Sequence, residues 1–89
     1  MSVPESYRLT DHAREEAERR GIPIDVIDSI MRSPGQVVNT YGGRKAYQSQ
    51  VIIAGKPYLV RIIVEEATPL IIVTVYRTSR IEKYWSNEP

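Results

Sequence analysis

The chain contains no cysteine, a single histidine and a single tryptophan. Without cysteine there is neither a disulfide framework nor a thiolate metal site, and an intracellular setting fits best. One histidine among scattered acids does not make a metal centre, so no metal and no cofactor is expected. Long apolar runs are missing as well. The longest are Leu59–Val64, broken by Arg61, and Leu70–Val73, against the ~20 residues of a membrane-spanning helix. The opening "MSVPESYRLTDH" has neither the basic start nor the apolar core of a signal peptide. The expected location is cytoplasmic, with no membrane partner. No glycine-rich phosphate loop, nucleophile elbow, internal repeat, linker or low-complexity segment is present.

What is present suits one small soluble domain, residues 1–89 with a core at about 7–85. The hydrophobic fraction is 42% and the charged fraction 26%, both ordinary for a globular protein. Such a chain buries roughly two thirds of its unfolded surface, so its core has to be compact. The net charge of +1 is unevenly spread. Residues 1–35 carry five arginines against seven acids, and residues 36–89 carry seven Lys/Arg against four acids. The second half could meet phosphates, although the whole chain is not strongly cationic.

The two halves also differ in pattern. Thr10 or Asp11 can cap a helix, since a short side-chain oxygen accepts an orphan amide hydrogen bond. Gly21 ends that helix, because glycine alone enters the left-handed region cheaply. Pro23 suits the first turn of a second helix. Val26, Ile27, Ile30 and Met31 share one face of it, and Ser33–Pro34–Gly35 closes it. A short strand at Tyr7–Leu9 can precede both helices. From Gln36 onward, "QVVNTY", "RKAYQSQVII", "PYLVRIIVEE" and "LIIVTVYRT" are rich in β-prone residues. Gly42–Gly43, Ala54–Lys56 and Glu66–Pro69 separate them, connections short enough to force antiparallel neighbours. The expected fold class is α+β, with two N-terminal helices packed on one face of a three- to four-stranded antiparallel sheet. The C-terminal "SRIEKYWSNEP" reads equally as a fifth strand or a short helical tail.

Four places could carry chemistry. His12, Glu16 and Arg20 form a row at helical spacing beside the inward stripe of Leu9, Ala13 and Ala17. The helix dipole at His12 disfavours the imidazolium, which suits a general base; the same position suits a simple cap or edge residue. In "LIIVTVYRTSR" strict alternation places Leu70, Ile72, Thr74, Tyr76 and Thr78 on one face. That face runs from apolar to hydroxyl-bearing, as a core opening into a polar cleft or into solvent would. Arg61 interrupts an apolar strand and needs a partner. Glu65 or a cross-strand neighbour would serve, as would a bound phosphate or carboxylate. In "YGGRKAYQ", Arg44 and Lys45 sit among Tyr41 and Tyr47, a mixture of cations and rings that suits a nucleic-acid surface or a solvated hairpin.

Together, "LTDHAREEAERRGIP", the Val26, Ile30 and Pro34 spacing, "LVRIIVEE" and "VTVYRTSRIEKYW" resemble the domain-of-unknown-function family 4258. Its members show a His-Ala pair, an Arg-Gly-Ile helix end, a Leu/Val-Arg strand and a Val-x-Tyr strand. The resemblance covers about Tyr7 to Trp85. It looks like a branch of the RelE/ParE/BrnT-type toxin superfamily, which implies a RelE-like fold and the ribonuclease toxin of a toxin–antitoxin pair. The positions it points to are His12, Arg20, Arg61, Thr74, Tyr76 and Thr78. The low net charge departs from the strongly basic, ribosome-dependent members.

The resulting expectation is a metal-independent endoribonuclease in which the RNA 2′-hydroxyl attacks the adjacent phosphate. His12 would be the base, Arg61 the phosphate clamp, and Tyr76 the acid or a further phosphate contact. Arg20, Arg44, Lys45, Thr74 and Thr78 would hold substrate, and a protein antitoxin would be the partner. The alternative is a non-catalytic protein-interaction domain, with Tyr84 and Trp85 of the tail as its docking surface. Convergence of His12, Arg61 and Tyr76 in one cleft separates the two.

Overall fold

The computed structural model describes residues 7–86. Residues 1–6, which open the stretch read for a signal, and residues 87–89 of the tail lie outside the description.

The first helix, α1 (Asp11–Arg19), has Thr10 as its N-cap, whose hydroxyl accepts from the Ala13 amide at 3.0 Å. The same hydroxyl donates to the Ile72 carbonyl at 3.0 Å, which ties the helix start to a distant strand. At the other end, Ile22 N–H donates to Ala17 O and Gly21 N–H to Glu18 O, with Gly21 at φ +66°. This is a Schellman closure, and it is why the helix stops where glycine stands. The second helix, α2 (Ile24–Arg32), buries Ile27, Ile30 and Met31.

Five strands follow the sheet order β1-β5-β4-β3-β2. They are β1 (Tyr7–Leu9), β2 (Gln36–Asn39), β3 (Lys45–Ile53), β4 (Lys56–Glu65) and β5 (Leu70–Thr78). A tight 3-10 turn at Tyr41–Gly43 joins β2 to β3, and α3 (Ile81–Tyr84) follows β5.

This corrects the expected architecture. The sheet is mixed and five-stranded, because β1 pairs in parallel with β5 through Tyr7↔Leu70 and Leu9↔Ile72. Among the described residues there are three helices, the third lying in the C-terminal tail. A three-residue strand carries almost no periodic signal of its own, and its partner lies at the far end of the sequence. The edge of β5 supplies the free hydrogen-bonding groups that β1 takes up.

A second correction concerns β5. Its register with β4 slips between Ile63↔Thr74 and Val64↔Ile72, so Val73 is the extra residue of a β-bulge. The bulge switches the phase of the alternation. Ile72 and Val75 therefore both enter the core, whereas Thr74, Tyr76 and Thr78 face the other way. Leu70 and Ile72 do not share a face with Tyr76.

The main core lies between α1 and α2 and one sheet face. Ala13, Ala17, Ile22, Ile27, Ile30 and Met31 meet Val60, Ile62, Val64, Ile72 and Val75. The opposite face buries a different set, namely Ala46, Gln48, Leu59 and Arg61. Two polar side chains among four mark this second face as the place to look.

Candidate functional site

The register of three strand pairs builds one transverse row across the second face. Gln36 stands opposite Gln48, Gln48 opposite Arg61, and Arg61 opposite Tyr76. Arg61 Nε donates to Gln48 Oε1 at 2.8 Å, and Nη1 donates to the Tyr76 hydroxyl at 2.6 Å. Because arginine only donates, Gln48 has to turn its carbonyl oxygen toward it. Its amide nitrogen then donates to Gln36 Oε1 at 2.8 Å and to the Tyr84 carbonyl at 3.1 Å. Gln36 in turn accepts from Ser86 N at 3.0 Å and donates to Ser86 O. The cation thereby sets the polarity of the whole amide relay, and the relay fastens the tail.

The same tail roofs the guanidinium. The Arg61 carbon Cζ lies 4.5 Å from the Tyr84 ring centre and 5.7 Å from that of Tyr76. The two rings meet edge to face at 6.3 Å and 74°. Each ring offers its negative face to the cation, at about 0.5–2 kcal/mol apiece.

Arg61 is 8% exposed, yet among the described residues no carboxylate pairs with it. Glu65, a candidate from the sequence, pairs with Arg44 at 3.3 Å instead. Among the described residues Nη2 has no hydrogen-bond partner, and no buried side-chain polar atom lacks one. That nitrogen is therefore not fully enclosed, and Arg61 lines a cleft of about 450 Å³. Its walls are Thr40, Tyr41, Arg44, Arg61, Ile63, Tyr76, Lys83 and Tyr84. A mostly buried charge left uncompensated is costly, and an anion entering the cleft would complete it.

The structure brings together Arg61, Tyr76 and Arg44 and separates the rest. His12 is exposed on the first turn of α1. Its helix covers the Val60, Ile62 and Val64 face, opposite the face of Arg61, so His12 does not reach the cleft. Arg20 is on that helix side too, donating to Glu16 at 2.8 Å; Arg19 also binds this carboxylate. The Arg20 guanidinium beside Glu16 holds the Glu16 carboxyl below its usual range. The row His12, Glu16 and Arg20 is thus an ion-pair network at Glu16 and Arg20, with His12 outside it. Lys45 donates to Asn39 at 3.0 Å and lines no part of the cleft. Thr74 and Thr78 flank Tyr76 on its own face outside the cleft wall, and Thr78 accepts from the Arg80 amide.

Gln36, Gln48 and Lys83 were missed, and Tyr84, read as part of a docking tail, instead walls the Arg61 cleft. Gln48 was legible in part, since the two-residue turn Ala54–Gly55 fixes the β3–β4 register. Counting back from that turn places Gln48 opposite Arg61. Tyr76 opposite Arg61 was not legible this way, because the bulge at Val73 shifts the count by one.

Among the described residues no three His, Asp or Glu side chains gather as metal ligands, and no helix is long and apolar enough to cross a membrane. A groove of about 480 Å³ along Ser79–Lys83 is lined by consecutive residues only. Nothing from another element converges on it.

The fold and site define the class: a five-stranded α+β domain whose second sheet face carries a cationic, tyrosine-walled cleft around an arginine with no carboxylate partner among the described residues. The chain belongs to the family described as a domain of unknown function (DUF4258), whose family model matches residues 9–77. No curated protein matches the chain. No solved structure matches it either.

Proposed function

We propose that this domain binds RNA in the Arg61 cleft and acts as the metal-independent endoribonuclease of a toxin–antitoxin pair, without His12. The observation that carries the reading is Arg61 itself. Its charge is mostly buried and unpaired among the described residues, and it lines the cleft beside Arg44 and Lys83. A phosphodiester has the charge and the oxygen spacing to take up those donors.

In such a reaction the 2′-oxygen attacks phosphorus and the 5′-oxygen leaves, giving a cyclic phosphate. Arg61 stabilises the charge that develops on the phosphorane. The Tyr76 oxygen accepts from Arg61, which leaves its own proton free to go to the leaving oxygen. Among the described residues the cleft walls hold neither imidazole nor carboxylate. Deprotonation of the 2′-hydroxyl therefore falls to solvent.

The missing base favours one second reading, a protein-interaction domain whose partner presents a carboxylate to Arg61. One experiment separates the two. Purified protein is incubated in EDTA with an end-labelled RNA, beside Arg61→Gln, Tyr76→Phe and His12→Ala. Cutting that leaves cyclic phosphate ends, falls at least 100-fold in the first two variants and persists in His12→Ala supports the proposal. RNA bound but left uncut reduces the reading to RNA binding. RNA neither bound nor cut leaves the interaction domain.

A further inference from the structure

Of the six tyrosines, five are half-buried and serve the fold or the cleft wall. Tyr41 is 92% exposed, more than any other large hydrophobic among the described residues. Nothing in the core requires it, and a bare ring in water contributes no burial energy to folding.

It is mounted on a hydrogen-bonded turn. Thr40 N–H donates to Arg44 O at 2.9 Å, and Arg44 N–H donates to Tyr41 O at 3.2 Å. Gly42 and Gly43 lie at φ +66° and +75°, and a Cβ on either would touch nothing within 4 Å. These glycines therefore answer to the backbone alone. They close a tight turn that lifts Tyr41 at one end and aims Arg44 into the cleft at the other.

The position of the ring is what gives it a use. Tyr41 borders both the cleft of about 450 Å³ and an adjoining hollow of about 420 Å³ lined by Asn39, Thr40, Arg61 and Tyr84. Arg61 opens onto both. A phosphate held by Arg61 and Arg44 would leave its nucleoside beside the Tyr41 ring. An exposed ring next to cations is the arrangement that stacks an unpaired base. In an A-form duplex both faces of each base are already covered by neighbours, so this ring would find no partner there.

We infer that Tyr41 is a base-stacking platform and that the ligand of this cleft is single-stranded RNA rather than duplex. The inference rests on the RNA reading above and narrows it to a substrate class.

The test is fluorescence anisotropy with a short labelled RNA, 2′-O-methylated so that it cannot be cut, both single-stranded and annealed to its complement. Parent, Tyr41→Ala, Tyr41→Trp and Arg61→Gln are compared, with thermal melting as the fold control. The parent is expected to prefer the single strand by roughly tenfold or more, the worth of one stacked base. Tyr41→Ala should lose about that factor on the single strand alone, and Tyr41→Trp should keep it. Equal affinity for both forms, or an unchanged Tyr41→Ala, overturns the inference while RNA binding that depends on Arg61 stands. Binding of neither form by the parent overturns the RNA reading and this inference with it.

Discussion

At the scale of single residues, the second sheet face is organised by a charge that the described chain does not neutralise. Gln48 is fully buried and spends both ends of its amide, one on Arg61 and the other on Gln36 and Tyr84. Replacing it with leucine leaves the Arg61 Nε without its acceptor in a dry site. A hydrogen bond to a charged group is worth about 1.5–3 kcal/mol, so Gln48→Leu should lose about that much in chemical denaturation. Glu16 offers a cleaner pH experiment on the other face. The Arg20 guanidinium lowers its folded pKa, so the unfolded chain takes up a proton first as acid is added. Its contribution to stability is complete above the ordinary carboxylate range and disappears as pH falls through the lowered folded value. Melting temperatures of parent and Glu16→Gln should thus differ most near neutral pH and converge in acid.

At the scale of elements, two small devices decide how the strands meet. The β3–β4 hairpin turns at Ala54 and Gly55, with φ +52° and +80°. Alanine is strained there, and Ala54→Gly should raise stability by about 1 kcal/mol, read as a higher denaturant midpoint with an unchanged slope. The tail is held by the Gln36 and Gln48 amides and by packing at Gly35. A Cβ at Gly35 would come within 3.0 Å of the Trp85 ring and 3.2 Å of the Gln48 carbonyl. Because Trp85 is the single tryptophan, its emission reports directly on that contact. Gly35→Ala should shift the emission to the red as the ring moves toward water, with a smaller effect on the melt of the helix-side core.

At the scale of the whole molecule, the sheet separates two tasks. One face meets α1 and α2 and supplies the apolar core; the other carries the polar row and the cleft under α3. The proposed RNA reading makes Arg61, Arg44 and Lys83 the phosphate contacts, and it predicts that single-strand binding weakens with salt at a log–log slope of about −2. Titration by anisotropy over a range of salt concentrations measures it. A slope near zero would mean that these cations do not meet phosphates.

The types of the first two helices and of strands β2 to β5, the helix ends and the hairpin positions were determined by the sequence itself, whereas the sequence leaves the tail open between strand and helix. A Thr10 hydroxyl, a Gly21 at positive φ and a two-residue turn act over a few neighbouring residues, so their physics is complete locally. The α+β class followed from these, and so did Arg61 as a residue in need of a partner. Only the tertiary structure decided that β1 joins β5 in parallel, that Val73 bulges, and that the tail covers the second face. It alone also placed His12 across the sheet from Arg61. Sidedness is not a local property: one extra residue in a strand inverts every side chain beyond it. Which face a helix covers depends on pairings between the ends of the chain.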